Sequence, residues 1–140
     1  MSDSERLRPI VLGPGEGRAY ALGAMSAVFK ADEAETGATY SISEWFLEPH
    51  SSGPGPHSHA DHDDIFYVIE GTMSLLVGDE WIDAGVGSFI RAAAGVTHDF
   101  ANRTDKRAGV LNIYIPGGFE RDMAGIVDWF ANQPTTPGSQ

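Results

Sequence analysis

The sequence predicts an all-β protein whose strands form a sandwich or a barrel, followed by one C-terminal helix. Two observations predict the β class: the apolar segments are short, and turns separate them in a chain that contains 17 Gly and 8 Pro. Many short strands with regular turn signals are typical of such folds. A third observation, the helical spacing of apolar residues after Phe119, predicts the one segment that departs from the pattern.

The first predicted strand covers residues 38–47, where side chains alternate between two faces before Pro49 ends the segment. One face carries Tyr40, Ile42, Glu44 and Phe46, and the other carries Ser41, Ser43, Trp45 and Leu47. If the first face looks inward, Glu44 is a carboxylate in a largely apolar cavity and a candidate general acid or base. If it looks outward, Glu44 is an ordinary surface group.

The remaining predicted β-elements lie between residues 51 and 115. A stiff loop is predicted at 51–56, and the apolar run 65–69 predicts a strand buried on both faces. Further strands are predicted at 72–77, 81–83, 88–91, 96–101 and 109–115.

The C-terminal segment 119–131 predicts a helix that packs its apolar face on the β-structure. That face consists of Phe119, Met123, Ile126, Val127 and Phe130. Pro116 to Gly118 precede the segment and Pro134 follows it, as is typical of helix boundaries. Residues 135–140 are expected to fray. No internal repeat or second domain is visible, so we expect residues 1–140 to form one domain.

Composition excludes several classes of function. The net charge is −11, with 20 acidic and 9 basic residues, which argues against binding to nucleic acid or to anionic membranes. Cysteine is absent, so disulfides, thiolate nucleophiles and cysteine-ligated metals are excluded. The polar N-terminus lacks a signal-peptide pattern and no apolar run is long enough to span a membrane, so we expect a cytoplasmic protein.

Histidines cluster in two short segments, and this is the strongest functional signal. His57 and His59 are two residues apart, so on an extended chain their imidazoles point the same way. His98 lies in the second segment, and histidine is the commonest metal ligand. Asp99 follows His98 and is expected to face the opposite way, toward solvent or a salt bridge. The spacing predicts a metal site within the β-structure.

The two histidine segments resemble the two motifs of the cupin superfamily. In the first, His57-Ser58-His59 is followed by four residues and Asp64, and then by six residues and Gly71. In the second, Gly87 is followed by five residues, Ala93-Ala94-Gly95, two residues, His98, three residues and Asn102. The resemblance covers about residues 38–116 and implies a single antiparallel jelly-roll barrel, the double-stranded β-helix, with the C-terminal helix added to it.

The same resemblance implies a ligand set. His57, His59 and His98 would supply three nitrogens and Asp64 one oxygen to a divalent Fe, Mn, Ni, Co or Zn ion. Ser51 and Ala93 replace a loop Gly and a Pro of the motifs, and Asp64 replaces the family's Glu. Because aspartate is one methylene shorter, His62 is the alternative fourth ligand and, failing that, a candidate catalytic base. Asn102 would have a structural role.

An apolar, aromatic interior is predicted around this centre. The candidate substrate-binding residues are Phe46, Phe66, Met73 and Phe100, and other candidates for the interior are Val68, Leu75, Phe89 and Ile113. Such a lining suits a small aromatic or polyketide-like substrate better than a phosphorylated sugar, which would require more cationic groups.

Three functions remain open from the sequence. The stretches Ile65–Gly71 and Ile115–Glu120 look most like those of quercetinase-type cupins, which implies a metal-dependent dioxygenase acting on a phenolic or enolic small molecule. The alternatives are an oxygen-independent isomerase, cyclase or lyase, and a non-catalytic ligand-binding cupin. The resemblance also implies a homodimer.

Overall fold

The computed structural model describes residues 7–132, so the tail predicted to fray at 135–140 lies outside the described residues. Ten strands dominate: β1 (Arg18–Leu22), β2 (Met25–Ala31), β3 (Ser41–Leu47), β4 (Ser51–Ser52), β5 (Asp63–Glu70), β6 (Thr72–Val77), β7 (Glu80–Gly85), β8 (Phe89–Ala92), β9 (His98–Asn102) and β10 (Ala108–Ile115). The helices are α1 (Glu33–Thr36), a 3₁₀ turn (Glu120–Asp122) and α2 (Met123–Ala131).

The strands form two antiparallel sheets that close into a jelly roll, as predicted. The six-stranded sheet has the order β1-β2-β3-β10-β5-β8, and the four-stranded sheet has the order β4-β9-β6-β7. The predicted C-terminal helix is also confirmed, with its first turn in 3₁₀ form. Within residues 7–132 no helix is both long enough and apolar enough to span a membrane.

Two strands precede the region in which the sequence analysis predicted strands. β1 and β2 form a hairpin that extends the larger sheet, with Arg18 opposite Phe29. β2 alternates strictly, and its residues Met25, Ala27, Phe29 and Ala31 are buried. The barrel therefore begins well before residue 38.

The burial pattern decides which face of β3 looks inward, and the prediction that placed Phe46 in the interior is wrong. Trp45 and Leu47 are buried, and the small Ser43 lies between facing sheets, where its hydroxyl accepts a hydrogen bond from the Trp45 indole at 2.8 Å. Glu44 and Phe46 therefore lie on the outer face. Phe46 carries the Arg107 guanidinium 4.0 Å above its ring.

The second half of the barrel alternates in the same way. On β5, Phe66 and Val68 are buried while Tyr67 between them is 45 % exposed, so the prediction of burial on both faces is wrong. Phe89 is 66 % exposed, and Ile113 alternates with the buried Asn112 and Tyr114, so neither lines the interior. The interior is filled by Met73 and Leu75, which were expected there, together with residues such as Phe29 and Leu47.

A buried carboxylate fixes the start of the C-terminal helix. Asp32 is 1 % exposed and accepts hydrogen bonds from the backbone N–H groups of Gly118 and Glu120, both at 2.6 Å. Arg18 adds a salt bridge to Glu120 at 2.7 Å. These bonds hold the start of α2 against the barrel, with Met123 buried in the core and Ile126, Val127 and Phe130 packed against it.

Candidate metal centre

The two histidine segments meet through a pair of backbone hydrogen bonds. The His57 N–H donates to the His98 carbonyl at 3.0 Å, and the His98 N–H donates to the His57 carbonyl at 2.8 Å. Such a reciprocal pair places two residues directly opposite each other with their side chains on the same face. The imidazole centroids are 4.4 Å apart as a result.

His59 and Asp64 complete the cluster from two further positions. The His59 carbonyl accepts the Gly95 N–H at 2.8 Å, which holds its loop against the segment before β9. Asp64 lies on the inner face of β5 and is 4 % exposed. One ligand atom from each of His57, His59, Asp64 and His98 lies within 4.8 Å of the other three.

Asp64 is held as a carboxylate by the groups around it. Its Oδ2 lies 2.8 Å from His98 Nε2, and its Oδ1 accepts a hydrogen bond from the Asn112 amide. Burial alone would raise the pKa of Asp64, but the nearby imidazoles of His59 and His98 and the Asn112 amide lower it to about 2. Asp64 therefore carries a negative charge at neutral pH.

The imidazoles present their Nε2 atoms to a common point. His57 Nδ1 donates to the Gly55 carbonyl at 2.7 Å, which in the neutral ring leaves Nε2 without a proton. His98 Nδ1 lies 3.0 Å from the Val96 carbonyl, and its Nε2 faces Asp64. Burial lowers the pKa of His57, so that its imidazole is neutral and able to coordinate. Burial opposes a charge on His98 as well, but the hydrogen bond with Asp64 raises its pKa.

One buried atom in this cluster lacks a partner, and a metal ion would supply it. His59 Nε2 is buried without a hydrogen bond, and Asp64 Oδ2 lies 3.5 Å from it. An unpartnered buried polar nitrogen costs free energy. Three imidazole nitrogens and one carboxylate oxygen around such an atom are a donor set that suits a divalent Fe, Mn, Co, Ni or Zn ion. The residues present therefore fit a metal.

The two candidate catalytic residues lie outside this donor set. His62 stacks on Tyr114 with the rings 4.4 Å apart and nearly parallel, and its ring lies 6.4 Å from that of His59. Glu44 is on the outer face of β3, where Lys30 Nζ lies 3.4 Å from its carboxylate. The geometry thus favours Asp64 over His62 as the fourth ligand and removes Glu44 from the site.

The candidate metal-binding cluster borders two cavities that share part of their lining, including residues of α2. The inner cavity, of about 60 Å³, reaches Trp45, Asp64, Phe66 and Phe100. The outer cavity, of about 320 Å³, reaches His59, Tyr114, Asp122 and Trp129. Both are also lined by Pro54, His57, Phe119, Ile126 and Phe130.

Comparison with known proteins agrees with this geometry. Residues 43–114, just over half of the chain, match the family described as Cupin domain. The chain belongs to the cupin family. No curated protein matches the chain in sequence.

Solved structures share the cupin fold at low sequence identity. KdgF from Halomonas sp. superposes with a TM-score of 0.68 at 16% identity, over 80% of this chain and 96% of that one. The polyketide cyclase RemF from Streptomyces resistomycificus gives 0.59 at 21%, over 72% and 69% of the two chains. A cupin-superfamily sugar phosphate isomerase from Silicibacter pomeroyi gives 0.59 at 22%, over 67% and 60%.

In this cupin, two of the four candidate substrate-binding residues border the cavities. Phe66 and Phe100 line the inner one, and their rings are 5.9 Å apart. Met73 is fully buried in the hydrophobic core and is not among the cavity-lining residues, while Phe46 lies outside the barrel. Helix α2 contributes Ile126 and Phe130 to the lining of the inner cavity.

Sequence reasoning missed three polar residues of this cupin's site. Asn112 and Tyr114 are buried on the same face of β10; Tyr114 is opposite Asp64 in the strand register, and Asn112, opposite Phe66, donates a hydrogen bond to Asp64. Burial and the nearby carboxylates of Asp64, Asp122 and Asp32 raise the pKa of Tyr114 to about 12. Asp99, expected at the surface or in a salt bridge, is only 7 % exposed and accepts two backbone hydrogen bonds.

The structural role implied for Asn102 is borne out by its hydrogen bonds. Its amide donates to the carbonyls of Leu47, Glu48 and Lys106 at 2.7–3.2 Å. Its oxygen accepts from the backbone and hydroxyl of Thr104. Asn102 therefore ties the end of β9 to the end of β3.

Proposed function

We propose that this cupin is a metal-dependent enzyme that acts on a small, apolar phenolic or enolic substrate beneath helix α2. The observation that supports this most directly is the partnerless Nε2 of His59, buried among the nitrogens of His57 and His98 and the carboxylate of Asp64. These four residues would hold the ion. A bound divalent ion would act as a Lewis acid and would orient an oxygen-bearing substrate.

The protein's own groups would select and orient that substrate. Trp45, Phe66, Phe100 and Phe119 offer an aromatic wall, and α2 contributes Ile126 and Phe130. No Lys or Arg lines either cavity among the described residues. A phosphorylated ligand would find no counter-charge there, whereas a phenol or enol would bury its ring and keep its oxygens near the metal.

The leading form of this activity is a dioxygenase. The larger outer cavity would take the ring of an enolic substrate, and the small, largely apolar inner cavity next to the ligand set would shelter dioxygen from bulk water. Both oxygen atoms would enter the product, so no external reductant is required. This form also accords with the resemblance of residues 65–71 and 115–120 to quercetinase-type cupins.

The test is oxygen consumption by metal-loaded protein with flavonol and catechol substrates. We expect oxygen uptake by the wild type and its loss in His98→Ala, which also loses the metal. His50→Asn is the matched control, because His50 is exposed, lies outside the cluster and has a φ of 52°, which asparagine tolerates. Metal-loaded wild type that turns over no phenolic or enolic compound in air would contradict the proposal and leave a ligand-binding cupin.

A second form, an oxygen-independent isomerase, cyclase or lyase, is favoured by the groups at the outer cavity. Tyr114 and Asp122 line it, and the ring of His62 stacks on Tyr114, so proton-carrying groups lie beside the ligand set. The fold similarity to a polyketide cyclase accords with this form. Turnover that persists under strict anaerobiosis would select it over the dioxygenase.

A further inference from the structure

A buried carboxylate on the far side of β9 holds the loop that precedes the metal centre. Asp99 Oδ1 accepts the backbone N–H of Gly55 at 3.1 Å and that of Phe100 at 2.8 Å. Asp99 is only 7 % exposed, although its side chain lies on the face of β9 opposite that of His98. The Asp99 side chain therefore reaches back to the loop rather than out to solvent.

Gly55 connects this carboxylate to a ligand imidazole. Its carbonyl accepts the Nδ1–H of His57 at 2.7 Å, while its N–H is bound by Asp99. The hydrogen bond to Nδ1 keeps the proton on that nitrogen and turns Nε2 toward His59 and His98. A shift of Gly55 would change both the tautomer and the direction of the ring.

Three alternate residues of the loop, Gly55, His57 and His59, are hydrogen-bonded to the segment 95–99. His57 exchanges backbone bonds with His98, and the His59 carbonyl is bound by the Gly95 N–H. Gly55 is bound by the side chain of Asp99. Of these three attachments, only the last is made by a side chain, so it is the one that a substitution removes without breaking the backbone pairing.

We propose that Asp99 is a positioning residue of the metal centre, acting through Gly55 on the tautomer and orientation of His57. The expected effect of Asp99 on metal affinity rests on the proposed function, because it requires that the four residues bind a metal. Outer partners of ligating histidines typically change metal affinity by about 10- to 100-fold when removed. Because one oxygen of Asp99 accepts both bonds, an asparagine at this position keeps the acceptor and loses only the charge.

The experiment compares Asp99→Ala, Asp99→Asn and the control Asp83→Ala. Asp83 also lies in the four-stranded sheet and accepts a hydrogen bond from Ser74 at 2.7 Å, away from the histidines. The first readout is Co²⁺ affinity and the visible absorption spectrum of bound cobalt. The second is the ¹⁵N chemical shift of His57 in metal-free protein at pH 8, which reports the tautomer without any metal.

We expect Asp99→Ala to bind cobalt about 10-fold or more weakly, with an altered spectrum, and to mix the two tautomers of His57. Asp99→Asn and Asp83→Ala should retain wild-type values. Unchanged affinity and tautomer in Asp99→Ala, or equal loss in Asp99→Asn, would overturn the inference. A wild type that binds no cobalt while Asp99→Ala alone shifts the tautomer would contradict the proposed function and leave the positioning role standing.

Discussion

His98 Nε2 lies 2.8 Å from Asp64 Oδ2, so two of the four candidate metal ligands are hydrogen-bonded to each other. Burial disfavours a charge on His98, but this bond raises its pKa, and a metal ion bound at Nε2 would take the place of a proton there. Metal binding must therefore release that proton whenever His98 carries it.

The first prediction follows from the direction of this shift. Below the raised pKa of His98, metal binding should release about one proton from this residue, and the release should fall toward zero as pH rises through that pKa. Titration calorimetry with Co²⁺ in buffers of different ionisation enthalpy measures the number of protons. A proton release that stays constant between pH 5.5 and 8.5 would contradict the assignment of His98 as a ligand paired with Asp64.

The second prediction concerns the fourth ligand. Asp64→Ala should lose metal affinity by more than about 10-fold, since it removes the carboxylate at the centre of the cluster. His62→Ala should bind metal nearly as well as the wild type, because its ring stacks on Tyr114 rather than facing the other ligands. Elemental analysis and competition with a chelator measure both variants. The reverse order of affinities would make His62 the ligand.

The third prediction is a stability change in acid. Hydrogen bonds lower the pKa of Asp64 from 3.8 to about 2 against the opposing effect of burial. A lowered folded-state pKa stabilises the protein fully above pH 3.8, and this contribution, about 2 kcal/mol, is lost as pH falls toward 2. Denaturant unfolding of metal-free wild type should therefore show a steeper loss between pH 5 and 2.5 than Asp64→Asn. If the free energy of unfolding fell equally with pH in both proteins, the hydrogen bonding inferred for Asp64 would be contradicted.

The histidine ligands could be predicted from the sequence because their signal is local. His57 and His59 share strand parity, and the spacing to His98 matches a known motif. The inward face of β3 could not be predicted, because both faces carry large apolar side chains. What decides it is the space between the sheets, which admits Ser43 beside Trp45 and excludes Glu44.

The polar partners of the ligands depend on contacts that are distant in sequence. Asn112 donates a hydrogen bond to Asp64 across the β5–β10 pair, and Asp99 accepts one from the backbone N–H of Gly55 in the loop. Alternation alone predicted that Asp99 faces away from His98, which is correct. It could not show that the loop folds over Asp99 and buries it, so the predicted exposure is wrong.

The last prediction is a homodimer formed through the outer face of the six-stranded sheet. Strand register aligns Ile42, Ile113 and Ile65 in one row and Leu111, Tyr67 and Phe89 in the next. Tyr67 is 45 % exposed and Phe89 is 66 % exposed. Exposed apolar patches of this kind normally mark an interface. Two molecules of net charge −11 repel each other, so they associate best through a face whose carboxylates are neutralised by cations. Glu44 on this face forms a salt bridge with Lys30.

We therefore expect the wild type to sediment as a dimer and Phe89→Asp to sediment as a monomer, because a buried unpaired carboxylate would cost more than the contact gains. Ile82→Asp is the control, since Ile82 is 42 % exposed on the other sheet and should leave the dimer intact. Analytical ultracentrifugation over a range of protein concentrations distinguishes these outcomes. A monomeric wild type, or a dimer that Ile82→Asp disrupts and Phe89→Asp does not, would place the association elsewhere or remove it.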